Sequence, residues 1–563
     1  MYISSLLAAA CLFSAIPRNA DIEKRRVVHP SVWRLLDDSS RTEKVWVFLT
    51  DKGFENDRER QGAVARVRSE YDSRAIRRRA LRGASARTGG ALFTEADLPV
   101  APRYVSAVTR TGARLRAESR WLNAVSVRAS AEQVRDIAIL PCVRWIQLVA
   151  CEYRGDPAEA PDLKPSMPRS GGDLRRGDEP FYGRSFDQLS QINLVALHQL
   201  GYTGAGIVIG VLDTGFARSH EAFNYPGHPI DVLAEWDFVD DDPNAGFDPN
   251  DPMIPDPHGD IWQHAHGTIT LGTIAGYYPG EFVGGAYDAS FILAKTEDVT
   301  SETPAEEDLY VAGLEFIEMN GADIATSSLG YDDWYEYPDL DGQTAVCTIA
   351  VNIATSHGLI CCTAAGNGGR DSDWPTLDAP GDAFDVITCG AVNPDGNLAD
   401  FSSGGPSADG RVKPEVLAQG EFVDSIDPLD DAAYGEWDGT SMSTPLAASA
   451  VACILQAHPC WGVQQIRSNL FAAASDYVAN GEPDPLFARG YGLVDALATS
   501  EDDLCLGDLD EDGDVDLADL AELLAHYGGS GGAAYGDGDL DCDDDVDLSD
   551  LAALLAGYGD SCP

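Results

Sequence analysis

The sequence predicts an α/β protein with a mostly parallel central sheet, preceded by a small α+β module and followed by a small all-α module. Three observations carry this. From Gly206 onward, short and nearly continuous apolar runs alternate with helical stretches, the pattern of parallel strands covered on both faces. The charge changes sign along the chain: residues 1–160 hold 27 Lys/Arg against 19 Asp/Glu, net +8, whereas 161–563 carry net −61. An acidic segment near the end recurs after 31 residues, which marks a duplicated unit.

Taken in order, residues 4–17 form a short apolar run without a positive start, read as an export signal spanning 1–20 and implying a secreted or cell-surface protein. Residues 21–152 contain strand patterns at 44–50, 123–128 and 143–149, an exposed basic helix at 58–81 and a second helix at 129–139, so an α+β module is expected. Residues 153–181 are rich in Pro, Gly and charge, an exposed linker that a protease would cut. If exported, Cys142 could bridge to Cys151 and Cys505 to Cys562, whereas Cys361 and Cys362 lie in an apolar strand and read as core residues.

Residues 182–498 supply the α/β part, with strands expected at 207–212, 289–294, 323–328, 359–364 and 386–392 and crossover helices at 309–320 and 346–357. Ser441, in Glu436-Trp-Asp-Gly-Thr-Ser-Met-Ser-Thr-Pro445, stands where a strand or turn gives way to an apolar helix. A hydroxyl in a first helical turn lies beside unpaired backbone donors. Asp213 ends an apolar strand, and α/β sheets place function beyond the carboxyl ends of their strands.

Four segments occur in order: Val211-Leu-Asp-Thr-Gly215, His266-Gly-Thr, Ala365-Gly-Asn367 and Gly439-Thr-Ser-Met-Ser-Thr-Pro445. On these, the chain resembles the subtilisin-like serine proteases over residues 182–498, with Phe401-Ser-Ser-Gly-Gly-Pro406 and Asp409-Gly-Arg-Val-Lys-Pro414 also matching. The resemblance implies a subtilisin-like three-layer fold and an endopeptidase acting on proteins or peptides. Ser441 would be the nucleophile, His266 its acid–base partner, Asp213 the group that orients the imidazole, and Asn367 with the Ser441 N–H the oxyanion donors. His264 is not in the motif, since only His266 precedes Gly-Thr. Gly404, where a bulkier residue is more familiar, and Gln419, where proline is more usual, depart from the family pattern.

Residues 123–150 resemble the end of a subtilisin-type inhibitory propeptide. Residues 21–152 are therefore expected to act as an intramolecular inhibitor of a zymogen, held in part by charge against the acidic remainder.

The acidic repeat offers Asp508, Asp510, Asp512, Asp514, Asp516 and Asp519, then Asp539, Asp541, Asp543, Asp545, Asp547 and Asp550. Positions 1, 3, 5 and 12 provide carboxylates, position 7 a carbonyl and position 9 a water-mediated contact, the logic of a calcium loop. Gly513 gives the turn in the first copy and Asp544 replaces it in the second. Leu517, Leu520 and Leu524 then match Leu548, Leu551 and Leu555, with Tyr527-Gly528 and Tyr558-Gly559 closing each copy. Residues 499–563 thus resemble a dockerin-type calcium module, which implies a scaffold or cell-surface partner.

Acidic loops at 237–243 and 248–252 could hold a further calcium, and the pair His264 and His266 with Asp256, His258 and Asp260 a metal. The acid excess excludes a phosphate-backbone binder, so no nucleic-acid partner is expected. The alternative reading is a calcium-dependent surface protein whose protease fold is inactive.

Overall fold

The computed structural model describes residues 27–37, 41–84, 90–150, 164–165, 180–248, 253–254, 261–299, 306–332, 334–370, 375–500, 507–509, 515–529, 537–540 and 545–559. The expected export signal, most of the linker, Cys151, Cys505 and Cys562 lie outside them. The chain forms two compact units, Met1–Glu59 with Leu98–Val149, and Arg60–Asp97 with Ala150–Pro563.

The first unit is built on a four-stranded antiparallel sheet. Thr42–Leu49 pairs with both Ala124–Ser130 and Val143–Leu148, and Arg114–Ser119 flanks the sheet. Val45, Val47, Val125, Val127 and Ile146 bury one face against the Ala131–Ala138 helix. Ser130 and Gln133 form a reciprocal cap at that helix's start, which satisfies two of its unpaired N–H groups. Cys142 is a buried free thiol, so the bridge to Cys151 is not formed.

The second unit contains a seven-stranded parallel sheet. Its order is Val416–Gln419, Ile387–Val392, Ile360–Ala364, Ile324–Ser327, Val208–Asp213, Ser290–Lys295 and Asp231–Asp237. The five expected strands form its centre. Asp231–Asp237 and Val416–Gln419 were not expected: the first is an edge strand interrupted by charge and the second has only four residues. The Glu307–Met319 and Val346–Ser356 helices pack together, as predicted crossovers. Cys361 and Cys362 are core residues whose burial raises their thiol pKa values.

The Thr440–Ala457 helix runs through this core with every residue buried except Gln456. Pro445 has no N–H to give the Ser441 carbonyl four residues back. Ser328 Oγ donates to that carbonyl instead, at 2.9 Å.

The basic helix expected at 58–81 is two helices, Asp57–Val67 and Ser73–Arg82; Arg58, Arg66, Arg74 and Arg77 are exposed as expected, but Arg78, Arg79 and Arg82 are buried. Arg78 and Arg79 are buried against Glu318 at the end of the Glu307–Met319 helix. Arg79 makes two parallel bonds of 2.9 Å to the Glu318 carboxylate and a third of 2.7 Å to Asp97. Arg78 also donates to the Glu318 and Ala322 carbonyls, and Arg82 pairs with Asp323 at 2.7 Å. Burial alone would raise the Glu318 pKa, but the adjoining guanidinium charges outweigh it and hold the carboxyl down at about 2. These arginines are buried because each has a carboxylate or helix-terminal carbonyl waiting for it.

Near the chain's end, Leu517–His526 and Leu548–Ala556 pack together around Val515, Leu523, Leu540, Val546 and Leu554. In each copy the last aspartate of the repeat caps two backbone donors: Asp519 accepts from Leu509 and Asp516, and Asp550 from Leu540 and Asp547. The expected apolar faces are corrected. Leu517, Leu524, Leu548 and Leu555 are exposed, because Leu523 and Leu554 fill the small core. Cys460 is disulfide-bonded, a bond the sequence reading did not assign. Among the described residues no helix is long and apolar enough to cross a membrane.

Candidate active site

Three adjacent parallel strands end at the same edge of the sheet: Val208–Asp213 beside Ile324–Ser327 beside Ile360–Ala364. They deliver Asp213, Ser328 and Asn367 to one crevice, as the topology of an α/β sheet requires. Asp213 is 1% exposed. Its Oδ1 lies 2.6 Å from His266 Nδ1 and accepts from the Thr214 N–H at 2.7 Å. Its Oδ2 accepts from Thr270 Oγ1 at 3.0 Å. The Ala265–Ala275 helix presents His266 and Thr270 on one face, at i and i+4, so a single helix both meets and braces the aspartate. With Asp213 on Nδ1, the imidazole leaves Nε2 to exchange a proton.

Ser441 is the second residue of its helix, with its hydroxyl 3.3 Å from the Ser328 carbonyl. The serine and histidine helices pack against each other. Asn367 Oδ1 accepts from both the N–H and the hydroxyl of Thr440, at 2.8 and 2.9 Å. Those two donors decide which end of the amide is oxygen, so Nδ2 points the other way. Gly439 precedes the helix at φ +149°, and a Cβ there would lie 3.6 Å from Ser441 N and 3.7 Å from Asn367 Nδ2. The two donors therefore flank one small space that only glycine at position 439 leaves open.

A buried carboxylate, an imidazole, a helix-terminal hydroxyl and two convergent N–H donors can together activate an oxygen nucleophile and hold a developing oxyanion. The Subtilase family model matches residues 204–492. The chain belongs to the subtilase family. Its N-terminal part matches the Bacteroidota peptidase S8 propeptide domain over residues 44–161. It is similar to subtilisin from Bacillus pumilus, 32% identical over 314 residues, covering 56% of this chain and 98% of that one. Subtilisin E from Bacillus subtilis is 29% identical over 397 residues, covering 70% of this chain and 85% of the relative. The fold is also that of fervidolysin from Fervidobacterium pennivorans, a keratinolytic enzyme related to subtilisin, with a TM-score of 0.53, 20% identity and coverage of 82% of this chain. This chain spans 61% of that protein's length. The subtilase is thus a serine endopeptidase that works through a catalytic triad and is made as a zymogen with a propeptide.

The subtilase's departures from the family pattern have local causes. A Cβ at Gly404 would come within 3.1 Å of the Phe487 carbonyl. Gln419 uses its amide to bind the Glu421 and Phe422 carbonyls, holding the turn whose Gly420 carbonyl accepts from the Gly439 N–H.

His264 stacks edge-on with Phe247 at 5.1 Å, while Asp256, His258 and Asp260 lie outside the described residues. The acidic loop expected to bind calcium near Asp237 is arranged otherwise: Lys295 Nζ sits 2.8 Å from Asp237 Oδ2, and Oδ1 accepts from Val239 and Asp240. A buried ammonium takes the place a cation would need. In the repeat, ligand oxygens of Asp545, Asp547 and Asp550 lie within 4.8 Å of one another. Hard carboxylates at this spacing suit calcium. Asp508, Asp516, Asp519, Asp539, Asp545, Asp547 and Asp550 are described, whereas Asp510, Asp512, Asp514, Asp541 and Asp543 lie outside the described residues.

Sequence reasoning missed Ser328, Thr270 and Thr440. Each is a small hydroxyl residue whose role arises only from its neighbour in space.

Proposed function

We propose that Ser441 is the nucleophile of this subtilase, His266 its general base and then acid, Asp213 the group that fixes the imidazole, and Asn367 with the Ser441 N–H the oxyanion site. The observation that carries this is the 2.6 Å Asp213–His266 bond, on the sheet edge that also bears Ser328 and Asn367. In this reading His266 Nε2 takes the Ser441 proton as Oγ attacks the peptide carbonyl. The negative oxygen is met by Asn367 Nδ2 and the Ser441 N–H. His266 then gives the proton to the leaving amine, and water repeats the cycle on the acyl-enzyme. Ser441→Ala should abolish proteolysis and leave the propeptide joined to the catalytic part; undiminished peptidase activity of the purified variant would sink the assignment.

We further propose that 1–20 is an export signal and that the enzyme works secreted or at a cell surface. Residues 21–152 are the propeptide, 153–181 the linker cut in maturation, 182–498 the catalytic domain and 499–563 a dockerin-like calcium module for a scaffold or surface partner. Support for the last comes from the matched caps of Asp519 and Asp550 and from the converging carboxylates of Asp545, Asp547 and Asp550. Calcium there would neutralise those carboxylates and hold each loop against its helix. Calorimetric titration of the full-length Ser441→Ala protein is expected to show calcium uptake that is lost on Asp519→Ala with Asp550→Ala; no uptake would remove the module from the account.

A further inference from the structure

The Ser73–Arg82 helix meets the C-terminal ends of both crossover helices, Glu307–Met319 and Val346–Ser356. Just before it, the Asp72 N–H donates to the Met319 carbonyl at 2.9 Å. Arg78 donates to the Glu318 carbonyl at 3.2 Å and to those of Ala322 and His357, and Arg82 to the Pro459 carbonyl at 2.9 Å. Two glycines admit the helix this closely. A Cβ on Gly321 would lie 2.7 Å from the Arg74 Cβ, and one on Gly358 would lie 2.8 Å from the Arg82 Cβ.

The crossover helices are built in a way that calls for these cations. A helix C-terminus carries partial negative charge, which basic residues in the last turn ordinarily answer. Neither crossover helix contains a Lys, Arg or His. The first instead places Glu315 and Glu318 near its end, and Glu318 is fully buried. His357 also faces Glu318, but burial and the Arg79 charge push its pKa down to about 4. The positive charge that matches Glu318 therefore comes from Arg78 and Arg79, and Arg82 supplies that for Asp323. A sequence keeps such a local conflict where another part of the molecule resolves it.

Arg60–Asp97 belong to one compact unit with Ala150–Pro563, whereas Met1–Glu59 and Leu98–Val149 form the other. We propose that the segment carrying Arg78 and Arg79 stays bound to the mature subtilase as a separate chain when the strand-bearing part of the propeptide is removed. The inference rests on the reading of residues 21–152 as the part cut away in maturation. Separation requires a cut on each side of the segment, and Glu55, Asn56 and Pro99 are exposed, as such cuts need. The retained chain keeps the two-pronged Arg79–Glu318 pair in place. Its loss would strip Glu318, Asp323 and the helix-terminal carbonyls of these donors at once. The working protease is thus a two-chain protein whose smaller chain completes the ends of two catalytic-domain helices.

The test lets wild-type enzyme process itself, labels it with a fluorophosphonate and isolates the labelled protein under native conditions. Its chains are identified by intact mass and by mapping after cleavage at acidic residues. Sequence from 73–82 should be recovered in equimolar amount with that around Ser441, and sequence from 124–130 should be absent. Labelled enzyme that lacks 73–82, or that holds 73–82 and 124–130 in equal amount, would overturn the proposal. Glu318→Gln removes the charge and keeps the shape, so the processed variant should shed the segment on gel filtration and melt at a lower temperature. Retention by Glu318→Gln equal to that of wild type would overturn the ion pair as the anchor. An active, labelled catalytic chain without 73–82 overturns the retention alone. Failure of Ser441 to take the label, or labelled enzyme still joined through 153–181, overturns the reading on which the retention rests.

Discussion

Ser328 and Ser441 exchange two hydrogen bonds: Ser328 Oγ donates to the Ser441 carbonyl at 2.9 Å, and Ser441 Oγ donates to the Ser328 carbonyl at 3.3 Å. The exchange ties a strand end to the helix that carries the hydroxyl. It also answers a local defect, since Pro445 leaves the Ser441 carbonyl without its intrahelical donor.

Ser328→Ala should leave that buried carbonyl unpaired and destabilise the catalytic unit by about 1–2 kcal/mol. It should also lower kcat, because Ser441 loses one of its fixed neighbours. Thermal melts read the first effect and peptide hydrolysis the second; a variant unchanged in both would remove Ser328 from the site.

Asn367→Ala should lower kcat by about 100- to 1,000-fold with little change in KM, the magnitude established for the corresponding donor in subtilisin. A loss expressed mainly in KM would mean that Asn367 binds substrate rather than the oxyanion.

Thr270→Val removes a 3.0 Å donor from Asp213 Oδ2 while keeping the side chain's shape. Activity should fall by about tenfold or more, as the loss of one hydrogen bond to a buried carboxylate would suggest, and the melting temperature should fall as well. Equal activity would show that His266 and Thr214 suffice to hold the aspartate.

Burial pushes the His198 pKa down to about 4, between the Tyr182 hydroxyl and the Gly285 carbonyl. Burial and the charge of Arg79 do the same to His357, with Arg78, Glu318 and Asp97 also facing it. A histidine depressed in the folded state binds its proton more readily when unfolded. Its contribution is therefore intact above about pH 6.5 and is lost as the pH falls towards 4. Asp424, lifted by burial to about 7 despite Arg184, acts in the opposite sense. The informative quantity is thus a difference: His198→Gln should flatten the dependence of the melting temperature between pH 7 and 4.5. An unchanged slope would contradict the assignment.

The arginine helix gives a separate test. Arg79→Ala leaves Glu318 buried without its two-pronged partner and should loosen the docking of residues 60–97 on the catalytic sheet, since breaking such a buried pair costs about 3–5 kcal/mol. Hydrogen exchange at residues 73–82 should accelerate strongly. Exchange like that of wild type would show that packing, not the ion pair, holds this helix.

Much of the site was legible because its chemistry lies in short contiguous runs. Asp213, His266, Asn367 and Ser441 each sit in a segment whose neighbours set the local backbone, and apolar alternation foretold the five central strands. Ser328 and Thr270 were not legible, since each meets its partner only in space: Ser328 beside Ser441 and Thr270 beside Asp213. Arg78 and Arg79 read as solvent-facing because charge normally is, and nothing near them in sequence announces Glu318. The exposed leucines of the C-terminal helices were misjudged for a related reason: heptad-like spacing identifies an apolar stripe but not which neighbour covers it.

The most direct measurement is active-site labelling of the purified, processed enzyme with a fluorophosphonate, followed by peptide mapping and assay of hydrolysis. Stoichiometric modification of Ser441 is expected, with loss of activity in proportion and no labelling of the denatured protein or of Ser441→Ala. Modification at another residue, or full hydrolysis by Ser441→Ala, would contradict it.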